Sequence, residues 1–101
     1  MTDKLQEFRS EIVNINEEIL NLLSKRGKIA QNIGEEKRKQ GTAVYDPQRE
    51  KEMINKLIDK NEGPFNDNVI KQLFKEIFKA STDLQKSENE KHLYVSRKLK
   101  P

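Results

Sequence analysis

The sequence predicts an all-α protein of three helices per chain, one long and two shorter. Three observations carry that prediction: apolar residues recur at three-four spacing, no stretch alternates as a strand would, and capping residues mark the boundaries. With 33% hydrophobic and 37% charged residues and a mean hydropathy of -0.98, the apolar side chains must sit on narrow stripes. Amphipathic helices satisfy that requirement.

In the first third, Leu5, Phe8, Ile12, Ile15, Ile19 and Leu22 keep a heptad rhythm that resumes at Ile29 and Ile33. The pattern runs without proline to about Lys39, and Gly41 breaks it. Gly27 and Gly34 inside it cost only about 1 kcal/mol each relative to alanine. Such a helix is roughly 55 Å long, whereas a compact domain of this length has a radius of gyration of about 13 Å. The helix therefore overhangs its own domain, and oligomerisation would cover it.

The second helix is announced by Asp46-Pro47, an acceptor at the cap followed by proline at the first helical position, and carries Met53, Ile54, Leu57 and Ile58. Gly63-Pro64 ends it. The third begins near Asn66 or Asp67 and presents Val69, Ile70, Leu73, Phe74, Ile77 and Phe78 before fading near Glu88. Residues 1–90 read as one domain. Residues 91–101 lose helical periodicity and read as a C-terminal tail or linker.

Composition removes several function classes. The absence of cysteine excludes a disulfide framework and a thiolate nucleophile, and the single histidine, His92, cannot build a metal cluster. His92 reads as a surface residue, Tyr45 and Tyr94 as packing or interface residues. No apolar leader or membrane-length window is present, so the reading is cytoplasmic with no membrane partner. The net charge of +3 is spread among interspersed residues and only 6% are aromatic, which disfavours nucleic-acid binding.

Polar residues interrupt the apolar face of every helix. The heptad stripe requires an apolar residue at position 26, yet Arg26 stands there between Leu22 and Ile29. A buried cation needs an acidic neighbour or an anionic ligand, because desolvating it alone costs several kcal/mol. Lys37, close to three turns further on, projects from nearly the same side. Arg49 and Glu50 precede Met53 and Ile54 by one turn, and Ser81 and Gln85 continue the stripe of Ile77 at intervals of four. One alternative is that the cations pair with carboxylates such as Glu36 or Glu50, and that the other departures are solvated helix ends. Taken together, they point to one cationic cavity inside a helical bundle.

The segments Phe8-Arg9-Ser10-Glu11-Ile12, Leu22-Leu23-Ser24-Lys25-Arg26, Ile33-Gly34-Glu35-Glu36-Lys37, Val44-Tyr45-Asp46-Pro47-Gln48-Arg49-Glu50 and Ser81-Thr82-Asp83-Leu84-Gln85 are weak singly. In this order and spacing they resemble the all-α class of chorismate mutases over about residues 5–90, and in particular the mutase domain fused N-terminally to bacterial DAHP synthase. The resemblance implies an intertwined homodimer that converts chorismate to prephenate without a cofactor, in phenylalanine and tyrosine biosynthesis. It implies that Arg9 and Arg26 bind the two substrate carboxylates with Ser81 assisting. Lys37 and Gln85 would address the ether oxygen, Glu50 the substrate hydroxyl, while Asp46 and Arg49 complete the pocket. It also implies a DAHP synthase domain beyond residue 101 and a regulatory role.

Arg9 is implied to come from the other subunit, and helix geometry agrees. Arg9 and Arg26 lie about 25 Å apart along a continuous helix and on different sides of it, so one chain cannot bring them together. Competing readings are a non-enzymatic helical dimerisation module, in which Arg26 sets register, and a lyase acting on isochorismate through a similar cationic pocket.

Overall fold

The computed structural model describes the backbone of residues 3–99 and the side chains of residues 3–86. Three helices follow in order: α1 (Lys4–Gln40), α2 (Pro47–Lys60) and α3 (Asp67–Leu99). Among the described residues there is no strand.

Local chemistry sets each boundary. The Asp3 carboxylate accepts from the Leu5 amide and opens α1. Gly41, at φ 71°, closes it in the left-handed conformation that glycine adopts without a Cβ penalty. The Gly41 amide donates to the Arg38 carbonyl and the Thr42 amide to the Lys37 carbonyl at 2.9 Å. The Asp46 carboxylate accepts from the Arg49 amide, with proline at the first position of α2. The Asn66 side chain accepts from the Val69 amide and caps α3. Asn61 ties the connection together, donating to the Phe65 carbonyl and the Asp67 carboxylate.

Helix α3 continues to Leu99, past the point near Glu88 where the sequence predicts it to fade and through most of the segment read as a tail. Periodicity reports which face meets a neighbour, while glycine and proline are what interrupt a helix. No glycine or proline stands between Asp67 and Lys100. His92 and Tyr94 lie outside the residues whose side chains are described.

Helix α3 packs against both α1 and α2. The core is small: Ala30, Ile54 and Phe78 are buried, and Gly34 with them. All of it lies toward the C-terminal end of α1. The molecule extends 57 Å along its longest axis, with a radius of gyration of 18.3 Å, against about 13 Å for a compact domain. Its surface of 8815 Å² exceeds the roughly 6,000 Å² of a compact monomer of this mass. In the first half of α1, Leu5, Phe8, Ile12, Ile15, Ile19 and Leu22 are 48% to 64% exposed.

Helices α1 and α3 approach closely at Gly34. A Cβ there would stand 2.7 Å from the Gln85 Cα and 2.8 Å from its carbonyl oxygen, so a backbone would have to move. At Gly27 the nearest atom to an added Cβ is the Leu84 Cδ1 at 3.4 Å, an ordinary contact with a flexible side chain. Alanine gains about 0.5–1 kcal/mol of helix propensity over glycine, whereas overpacking costs roughly 1–3 kcal/mol. Gly34→Ala is therefore expected to lower Tm more than Gly27→Ala, measured by thermal unfolding; the reverse order would contradict this packing.

Candidate active site

The C-terminal half of α1, the start of α2 and the fourth to sixth turns of α3 line a cavity of about 430 Å³, within the range of small-molecule sites. Of the residues expected from the sequence, Arg26, Lys37, Asp46, Arg49, Glu50, Ser81 and Gln85 line it. Arg9 does not. It sits on the exposed N-terminal half of α1, as the 17-residue separation from Arg26 requires.

Arg26 is half-buried and meets no carboxylate among the described residues. Its Nη1 donates to the Ser81 hydroxyl, and its Cζ lies 5.2 Å from the centroid of the Phe78 ring. Ser81 is buried and donates its proton to the Ile77 carbonyl at 2.8 Å. A hydroxyl has one proton, so Ser81 is the acceptor toward Arg26. Lys37 reaches across to the Val44 carbonyl at 2.9 Å, fixing the connection between α1 and α2 over the cavity. Among the described residues the ion pairs are those of Lys39 with Glu35 and Glu36 on an exposed face. The alternative that Arg26 and Lys37 are neutralised by Glu36 or Glu50 is thus not what the structure holds.

The two carboxylates on the cavity wall come from the N-cap and the first turn of α2. Asp46 spends one oxygen on the Arg49 amide, so it orients the helix that presents Arg49 and Glu50. The Gln85 side chain carries a buried amide oxygen with no hydrogen-bond partner among the described residues, and an orphan of this kind costs about 1–3 kcal/mol. Turning the last torsion by half a revolution puts the donor NH₂ in its place. Among the described residues, no His, Cys, Asp and Glu side chains group where they could hold a metal ion.

Phe78, Thr82, Val44 and Met53 also line the cavity and were not expected as site residues. The signal for two of them was present. Phe78, Ser81, Thr82 and Gln85 follow the spacing of one helix face.

A cationic, partly apolar cavity between helices defines a site for a small anion, and the comparisons with known proteins give the family. The family model for chorismate mutase type II matches residues 8–86, and the chain belongs to that family. The solved chorismate mutase of Thermus thermophilus (form II) is 49% identical, with a TM-score of 0.82 over 83% of this chain and 96% of that one. The chorismate mutase of Helicobacter pylori, solved in complex with prephenate, is 31% identical, with a TM-score of 0.77 over 87% of this chain and 97% of that one. The bifunctional chorismate mutase/prephenate dehydratase of Aquifex aeolicus is 38% identical over 88 residues, which are 83% of this chain and 24% of that protein.

The chain spans about a fifth to a quarter of the length of such bifunctional relatives. Their second activity is prephenate dehydratase, so the DAHP synthase domain implied by the sequence resemblance finds no support among them. Among the described residues no helix is long and apolar enough to cross a membrane.

The double use of Asp46 gives a direct check. Asp46→Ala is expected to remove about 1 kcal/mol of stability through loss of the cap, while Asp46→Asn, which keeps the acceptor, retains most of the wild-type Tm. Equal Tm values for Asp46→Ala and the wild type would show that the cap does not hold α2.

Proposed function

We propose that the chain catalyses the rearrangement of chorismate to prephenate, in two equivalent cavities of a two-fold homodimer, each completed by Arg9 of the partner subunit. The observation that carries this reading is that Arg26, Lys37 and Arg49 face one cavity while none is ion-paired among the described residues. Three cations against Asp46 and Glu50 leave one net positive charge on the wall. Arg9 of the partner subunit brings that to two, the charge a dicarboxylate requires. The exposed apolar stripe of α1 supplies the surface along which an antiparallel second copy would dock.

The reaction is unimolecular. One carbon–oxygen bond breaks as one carbon–carbon bond forms, and no proton moves. The first task is to hold a flexible dianion in its folded conformer. Arg26 keeps N–H donors beyond the one given to Ser81 and meets one carboxylate as a planar fork, while Arg9 of the partner subunit meets the other. Ser81 assists through Arg26 rather than by donating to the substrate, because its proton is committed to Ile77. Glu50 accepts from the substrate hydroxyl, and Arg49 beside it keeps the wall cationic.

The second task is to stabilise charge that grows on the ether oxygen. Donors already aimed there lower the transition state more than the ground state. The Lys37 ammonium has three donors and gives one to Val44, which leaves two for a ligand. Gln85 donates through its amide from the opposite wall. No side chain serves as a nucleophile or general base in this scheme.

The test is an absorbance assay of chorismate conversion with wild type and Lys37→Ala. Loss of one preorganised donor costs about 2.7–4 kcal/mol, so kcat is expected to fall by roughly 10²- to 10³-fold while the helical circular dichroism is retained. No conversion by the folded wild type would overturn the function. Near-normal turnover in folded Lys37→Ala would overturn the role of Lys37.

A further inference from the structure

We infer that Phe78 is a positioning residue for Arg26, its ring face holding the guanidinium in the plane from which it forks onto the substrate. The inference rests on Arg26 binding substrate, as proposed above. Phe78 is only 3% exposed, yet its ring lines the cavity and lies 5.2 Å from the Arg26 Cζ. The ring is itself braced, with the Phe74 ring 6.0 Å away and tilted by 53°. Phe78 and Ser81 stand three residues apart on one face of α3, so a single helix supplies both contacts to Arg26.

The two contacts differ in what they constrain. The Ser81 hydroxyl accepts from one guanidinium nitrogen and leaves the group free to swing about that bond. The ring face restrains the swing. Arginine stacks on an aromatic face through the ring quadrupole, without surrendering its N–H donors.

A carboxylate in the place of Phe78 would hold Arg26 more tightly but would cancel its charge and occupy its fork. A hydroxyl and a ring hold it and leave both for an anion. This accounts for a cation on an apolar seam with no acidic partner among the described residues: its cradle is neutral by construction of the site. Preorganising a flexible side chain removes part of the ordering cost of binding, and Arg26 grips carboxylate in ground and transition states alike. The effect therefore falls on affinity more than on kcat.

The experiment measures the Kd of prephenate by titration calorimetry and KM for chorismate in the full chain. Phe78→Leu, which keeps apolar bulk without the quadrupole, is expected to weaken both by roughly two- to thirty-fold with a smaller change in kcat. Phe78→Tyr, which keeps the ring face, is expected to restore them. Because leucine alters packing, the decisive variants carry one, two or three fluorines on the Phe78 ring, introduced at that position alone. These preserve shape and progressively weaken the quadrupole, so log Kd is expected to rise with each fluorine. A flat fluorine series, while Arg26→Ala still weakens prephenate binding, would overturn the role of Phe78 alone. Unchanged prephenate binding in folded Arg26→Ala would overturn the substrate-binding role of Arg26 on which the inference stands.

Discussion

Everything in this molecule turns on a guanidinium set into an apolar seam and held there by neutral groups. Arg26 occupies a heptad position that Leu22 and Ile29 on either side define as apolar, and its contacts are a hydroxyl and an aromatic ring. A carboxylate would have made the seam self-sufficient. Its absence among the described residues leaves a half-buried positive charge facing a cavity, with one hydrogen bond and access to water or an anion. Lys37 repeats the pattern with a backbone carbonyl as partner. The cavity wall is thus built to stay positive.

The second constraint is geometric. The same helix that carries Arg26 into the core carries its N-terminal half out into solvent with a full apolar stripe exposed. Helices α2 and α3 leave that stripe uncovered. The proposed second copy would address both together: it would cover the stripe and bring Arg9 of the partner subunit to the cavity. Close contact at Gly34 keeps α3 near enough to α1 for Gln85 and Ser81 to share that cavity with Arg26 and Lys37.

Much of this is legible in the sequence, because the relevant chemistry is local. Asp46-Pro47 and Gly41 act within a turn of where they stand, and the three-four rhythm of α1 is a one-dimensional signal. Arg26 is conspicuous because it breaks that rhythm. What the sequence does not disclose depends on contacts between distant residues. Ser81 lies 55 positions from Arg26, so its service as a hydrogen-bond acceptor is invisible there. Phe78 looks like any other core residue of α3. Gly34 reads only as a small loss of propensity, since its value lies in what a Cβ would strike on another helix. The far end of α3 escapes a periodicity argument, because the apolar pattern fades before the helix does.

The central claim is that each cavity is completed by Arg9 of the partner subunit. It is tested most directly by mixing two single variants, Arg9→Ala and Arg26→Ala, each expected to be nearly inactive alone. After partial denaturation and refolding together, half of the dimers carry one chain of each kind. Such a dimer has one cavity with both arginines intact and one with neither. Shared cavities therefore predict recovery of about a quarter of wild-type activity. If Arg9 acted within its own chain, no dimer would hold an intact site, and a mixture that stays as inactive as its components would contradict the account.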